Sequence, residues 1–458
     1  MSSPRFMTAV PARVLWALVT VMGALFIGAA APYEPKLLFA AVTGMLCLLL
    51  SILYPERMST VILLPTAVSI QFIFDMKLAG MDLQSLYKMG VLFLLVPAMM
   101  KLGIHRFMLG PAIALCVMLL ITYLFSDWHP LLDRAAPIKA FIGLLAPFVF
   151  LLIRWDRHTS ERHITVVALL PLISVAIGLL LHGAGIHKAF VVEFTGAFRL
   201  QGSSIPAHLA FLAFISFMIC FIELKRNPLR LTFFYVMMAI NFMILLLTGT
   251  RGPLVSAAPM LLLYIFDLTR QFAKGRAVLI VPLFGFVTLL SGAVYLQLDN
   301  LMKRSFERQT DTVIDTSGRA EAWAFFLDGV KGSPWSGRGL GSVLVANDGS
   351  IYSGFVVPHN EYIRFYYDSG YIGAACLFIA LAITFSMVYR RTEKRAKSSV
   401  GMLLLGFAIY TFTDNTLSTV QFIVPFCVYL CALINHSAAA ESGEEEHGEG
   451  RVVRYPIR

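Results

Sequence analysis

The chain has 458 residues, of which 58% are hydrophobic and 14% charged, with a formal net charge of +10 and a mean hydropathy of +0.75. A soluble globular protein has no use for that much apolar surface, so the composition implies a polytopic membrane protein. The positive balance does not call for nucleic acid, because basic residues in such chains gather in cytoplasmic loops.

A backbone in lipid must pair its own polar groups, and the apolar runs are continuous rather than alternating, so the spans are helices. Fourteen apolar segments are predicted, near 14–30, 37–53, 59–75, 87–100, 108–125, 138–153, 164–181, 207–224, 231–248, 254–268, 277–298, 371–389, 400–415 and 418–434. Several fall short of the roughly 20 residues that cross a bilayer; those near 59–75, 87–100 and 400–415 fit tilted, re-entrant or partly extramembrane helices. The expected fold class is an all-α polytopic membrane protein of about 12–14 transmembrane helices with a helical cap outside the bilayer.

Arg5 and Arg13 precede the first segment, and Ala29-Ala30-Ala31 resembles a cleavage site; an uncleaved first span is preferred because comparable spans follow. With the N-terminus inside, the inner connections hold Arg154, Arg157 and Arg162, then Lys225, Arg226 and Arg230, then Arg270, Lys274 and Arg276, then Arg390, Arg391, Lys394, Arg395 and Lys397. Most of the 37 Lys and Arg residues fall on that side, as the positive-inside rule requires. The outer side then carries the 182–206 connection, the turn Leu247-Thr-Gly-Thr-Arg-Gly-Pro253 and the long polar stretch 299–370. The expected organisation is spans over 1–298, a polar segment with short helices over 299–370, two or three further spans over 371–435, and a disordered cytoplasmic tail over 436–458.

Three outer arginines carry candidate chemistry. Arg199 lies just before the span near Pro206, Arg251 sits in the tight turn, and Arg319 follows Thr316-Ser-Gly318. Each fits an interface anchor or an ion-pair partner. Isolated arginines on the outer face run against the topology rule, and a guanidinium fork matches phosphate oxygens in pairs. Together they suit a diphosphate headgroup whose lipid tail stays in the bilayer.

After Arg319 comes a helical run with Trp323, Phe326 and Val330 on one stripe, which packs on the membrane domain, with Ser317 as its N-cap. The loop Ser333-Pro-Trp-Ser-Gly-Arg-Gly-Leu-Gly341 is turn-rich and leaves little room for side chains. His359 is the sole histidine of 299–370. It reads either as a loop-bonding residue or as a general base that takes a hydroxyl proton near neutral pH. Asp348, Glu361 and Asp368 are its candidate acid partners. The six cysteines all lie in apolar runs, which argues against a disulfide framework and a thiolate metal site. No Walker loop or dinucleotide fingerprint is present, which argues against an ATP-driven pump.

Taken in order, Thr248-Gly-Thr-Arg-Gly252, Gly318-Arg319 with Trp323, Ser333-Pro-Trp-Ser-Gly337 with Gly339, and His359-Asn360 followed after nine residues by Gly370-Tyr-Ile-Gly373 resemble the O-antigen ligase/polymerase superfamily. The likeness covers about 200–415. It implies a glycan transferase without metal or cofactor, multi-pass in a bacterial inner membrane, with both termini cytoplasmic and the capped active site periplasmic. The implied donor is a glycan on undecaprenyl diphosphate, and the acceptor a hydroxyl of lipid A-core or of another glycan repeat. A chain-length regulator or a flippase is the implied protein partner. By the same resemblance, Arg251 and Arg319 bind the diphosphate and stabilise it as it leaves, with His359 acting on the acceptor hydroxyl. Arg199, Asn360 and Arg338 bind substrate, and Gly370 and Gly373 allow close helix contact. A Wzy-type polymerase fits the same residues. A transporter would instead place ionisable groups in mid-membrane, where this chain has neutral ones such as Gln71 and Asn241.

Overall fold

The computed structural model describes residues 35–69, 77–78, 81–133, 136–193, 196–275, 319–347 and 357–446, with Val21 and short pieces between 284 and 298. The rest of segment 14–30, Gln71, Ser317 and Asp348 lie outside the described residues.

Thirteen α-helices are seen among the described residues: α1 (Pro35–Leu53), α2 (Pro55–Leu63), α3 (Leu83–Leu102), α4 (Leu109–Phe125), α5 (Ala136–Leu152), α6 (Arg157–Gly183), α7 (Pro206–Arg226), α8 (Leu231–Leu247), α9 (Arg251–Ala273), α10 (Arg319–Gly329), α11 (Glu361–Arg391), α12 (Lys397–Thr413) and α13 (Val420–Glu446). Local chemistry sets several ends. Pro206 takes the first helical position of α7, where its missing N–H costs nothing, and Asp82 and Asp156 cap α3 and α6 through the amides of Ser85 and Thr159. The apolar segment near 59–75 is a short helix, α2, followed by a 3-10 turn over Leu64–Ala67. Among the described residues, seven helices are long and apolar enough to cross a membrane.

The bundle is built around α7 and α13. All of α7 from Leu209 to Glu223 is buried, as is α13 from Val420 to Asn435. A helix apolar all round must be enclosed by others, and α7 is ringed by α6, α8, α9, α12 and α13. Their contact is aromatic: Phe211 stacks on Tyr410 at 4.8 Å, and Phe407 on Phe426 at 4.9 Å.

At one end of the bundle lie the N-termini of α7, α9, α11 and α13 and the C-termini of α8 and α12, which puts the turns that carry the motifs together. There α10 forms a small second core, in which Phe326 and Val330 pack with Val343 and with Tyr367 of α11. The expected apolar stripe is thus present.

α11 is broken at Gly370, whose φ of 64° and ψ of −172° are open essentially to glycine alone. The loop before Gly341 fills the break. Tyr371 N donates to Pro334 O at 2.9 Å and Ile372 N to Trp335 O at 3.3 Å, while Arg338 N donates to Tyr367 O at 2.9 Å. A Cβ on Gly370 would overlap the Trp335 carbonyl, and one on Gly337 the Gly370 amide. Gly370→Ala is therefore expected to cost about 2–4 kcal/mol, read as a lower midpoint of thermal unfolding in detergent; an unchanged midpoint would contradict this account of the break.

Candidate functional site

His359 is the sole described non-glycine residue with positive φ, at 48°. Such a backbone costs on the order of 1–3 kcal/mol and persists only when its surroundings over-determine it. Here three attachments do so. The next residue, Asn360, caps α11, its Oδ1 accepting from Tyr362 N at 3.0 Å and Ile363 N at 3.2 Å. The preceding carbonyl, of Pro358, accepts from Trp323 Nε1 at 2.8 Å. The ring itself lies against Asp414, with Nδ1 and Oδ1 2.9 Å apart. Asn360 therefore serves first as a helix cap, holding the backbone that aims His359.

Asp414 follows α12 and is buried. Burial raises its carboxyl pKa most strongly. The His359 hydrogen bond and charge, the Arg319 guanidinium and the Asn415 amide together outweigh that, so it ends below the ordinary carboxylate range. An ionised Asp414 accepts from Nδ1–H and leaves Nε2 as the basic nitrogen. Asn415 Nδ2 stands 3.3 Å from the same Nδ1, while its Oδ1 is buried without a partner; the opposite amide orientation would give Nδ1–H a second acceptor.

Arg319 opens α10, four residues before Trp323, and so shares its face. Trp323 rests edge-on against Phe412 at 5.3 Å, which places Arg319 where its charge acts on Asp414. Arg251 opens α9. The next residue, Gly252, packs so tightly on α12 that a Cβ there would lie 2.9 Å from Thr413 Oγ1. The structure thus brings Arg319, the start of α9 and His359 to one turn, the end of α12.

Arg199 plays a different part. It lies on β2 (Phe198–Leu200), which pairs antiparallel with β1 (Phe190–Val192) and sets Arg199 opposite Val191. Its fork is engaged: Nε donates to Thr248 O at 2.6 Å, Nη2 to Thr250 Oγ1 at 2.9 Å, and Nη1 to the Glu193 carboxylate. Gly249 at the centre of that turn has φ of 60°. Arg199 thus braces the turn that presents Arg251. Arg199→Met is expected to lower stability by about 2 kcal/mol through unpaired buried groups; an unchanged thermal midpoint would speak against bracing.

Arg338 lies in the glycine loop, where Nη1 pairs with Asp127. Ser333 Oγ donates to the same carboxylate at 2.8 Å, and His129 N to Arg338 O at 2.8 Å. Arg338 thereby ties the loop to the connection after α4.

Of the candidate acid partners of His359, Asp348 lies outside the described residues, and Glu361 and Asp368 serve elsewhere. Asp368 is wholly buried and accepts from Gly341 N, Val343 N and Ser342 Oγ at 2.9–3.0 Å, so it shapes the glycine loop. Glu361 binds the amides of Leu417 and Ser418. Asp414 falls inside the predicted apolar segment 400–415, which hid it from the rule applied to the outer arginines.

Residues 236–378 match the model of a family described as O-antigen ligase. That stretch holds Arg251, Arg319, Arg338, His359, Asn360, Gly370 and Gly373, while Arg199 and Asp414 lie outside it. No curated protein matches the chain.

Proposed function

We propose that this multi-pass membrane protein transfers a glycan from undecaprenyl diphosphate to a hydroxyl acceptor in surface polysaccharide synthesis, a reading supported by the match of residues 236–378 to the O-antigen ligase family. The site faces the periplasm of the inner membrane, and both termini are cytoplasmic. The observation that carries the reading is the His359–Asp414 pair, 2.9 Å apart, beside the charge of Arg319.

His359 Nε2 takes the proton of the acceptor hydroxyl, and Asp414 stabilises the imidazolium that results. The acceptor oxygen attacks the anomeric carbon as the bond to the diphosphate oxygen breaks, which inverts the configuration. Charge grows on the diphosphate as it leaves, and the guanidinium groups of Arg251 and Arg319 stabilise it there. The leaving group is already good, so orientation and charge stabilisation suffice without a covalent intermediate. Glycosidase chemistry would need two carboxylates across the sugar; this turn supplies one carboxylate, and it is bonded to the imidazole.

The acceptor is either lipid A-core, which makes the protein a ligase, or the next lipid-linked repeat, which makes it a polymerase. Purified protein given an undecaprenyl-diphosphate-linked repeat, with and without lipid A-core, separates them. Product only with core marks a ligase, and a ladder from donor alone marks a polymerase. Donor that is bound and never turned over in either mixture would overturn the transferase reading.

A further inference from the structure

Asp414 can meet His359 only if the turn Asp414–Ser418 is held, and the residues that hold it are not in the site itself. Glu361 is 0% exposed. Its Oε1 accepts from Leu417 N at 2.8 Å, Ser418 N at 3.1 Å and Ser418 Oγ at 3.2 Å, and its Oε2 from Arg364 Nη1 at 3.2 Å. From the other side Lys88 of α3 donates Nζ to Ser418 O at 2.8 Å. An anion thus takes the amide of Ser418 and a cation takes its carbonyl, each group from a different helix.

An acid in the first turn of a helix ordinarily needs no more than the helix dipole. Such an acid stays in water. This one is buried, and three of its four donors come from a segment more than 50 residues away. Its position in the chain explains the arrangement. His359 and Glu361 flank the cap Asn360, so one rigid tripeptide grips the turn at both ends, through Asp414 and through Leu417-Ser418. Two attachments stop the turn from pivoting about the single His359–Asp414 bond.

Resting on the transferase reading above, we infer that Glu361 is a positioning residue: with Lys88 it fixes the turn so that the Asp414 carboxylate meets His359 Nδ1. It touches neither substrate nor reacting atoms. A displacement of about 1 Å at such a partner costs up to about 100-fold in rate.

The test is a double-mutant cycle on the purified full-length protein with an undecaprenyl-diphosphate-linked repeat and its acceptor. Glu361→Gln is expected to lower kcat about 10- to 100-fold and to leave the donor KM within about twofold, since the arginines are untouched. In an Asp414→Asn background the same change is expected to cost less than about twofold, because what it positions is already gone. A general loss of structure would raise KM and would add its full cost in both backgrounds. Lys88→Gln, run through the same cycle, carries the test if Glu361→Gln is not monodisperse, with an expected loss of about 10-fold that also vanishes beside Asp414→Asn. Wild-type kcat in the variant that folds, or a loss undiminished in the Asp414→Asn background, overturns the inference. Absence of turnover by the wild-type protein overturns the proposed function instead.

Discussion

His359→Ala is expected to lower kcat about 1,000-fold, within the range for removal of a general base, while binding of undecaprenyl diphosphate changes by less than about twofold. The separation follows from the geometry: His359 sits on the α11 side of the turn with its Nδ1 committed to Asp414, and the diphosphate is assigned to Arg251 and Arg319. Asp414→Asn should fall between wild type and His359→Ala, and the double variant should be no worse than His359→Ala alone, because a base and the group that orients it act as one unit. Asp414 also links the site to acid stability. Its folded pKa lies below the ordinary aspartate value of 3.8, so its contribution is complete above that value and is lost as pH falls through the lower folded one. Acid unfolding curves of the wild type and Asp414→Asn should therefore run a constant distance apart above about pH 5 and converge below the folded pKa. Curves that stay parallel throughout would mean that the carboxylate is not held by His359 and Arg319. Turnover of His359→Ala within about tenfold of wild type would remove the histidine from proton transfer.

Arg319→Lys is expected to lose about 100-fold in kcat although the charge is kept. A lysine is a point charge on a flexible stem, whereas the guanidinium offers two parallel donors that match two phosphate oxygens. The variant also separates the two effects of Arg319. The charge that helps to hold Asp414 ionised survives in lysine and is lost in Arg319→Gln, so the glutamine variant should lose the most activity of the three side chains. Near-normal turnover by Arg319→Lys would show an arginine whose work is structural, bracing α10 against the end of α12.

Most of the described helices were legible in the sequence, as were the motifs, because they rest on local signals. Continuous apolar runs report helices in lipid, and the stripe of Phe326 and Val330 reports the buried face of α10. Glycine roles were legible only in part. Gly373 allows close contact, since a Cβ there would press on Thr122 of α4. Gly370 instead lets the helix break so that the loop Ser333–Gly341 can enter it, and spacing alone does not distinguish these. The pairing of His359 with Asp414 was not legible. It joins positions 55 residues apart on different helices, and nearer acids were available. Asp368 is nine positions from His359, yet lies beyond two turns of helix, where it serves the glycine loop. Proximity along a chain predicts contact within an element, not between two elements whose ends meet only in the assembled bundle. Arg199 shows the same limit, because its fork is taken up by backbone and side chains of a turn about 50 residues later.

The order of the site residues along the chain bears on biogenesis. The ribosome delivers Arg199 and Arg251 first, Arg319 and His359 next, and Asp414 after all of them. The turn that carries it is then tied down between α12 and α13, so the second of those helices must enter the membrane before imidazole and carboxylate can be held together. A nascent chain already long enough to possess the three arginines and the histidine therefore lacks the carboxylate that pairs with His359. On the proposed reading, a chain that has not yet gained α13 lacks a held imidazole–carboxylate pair.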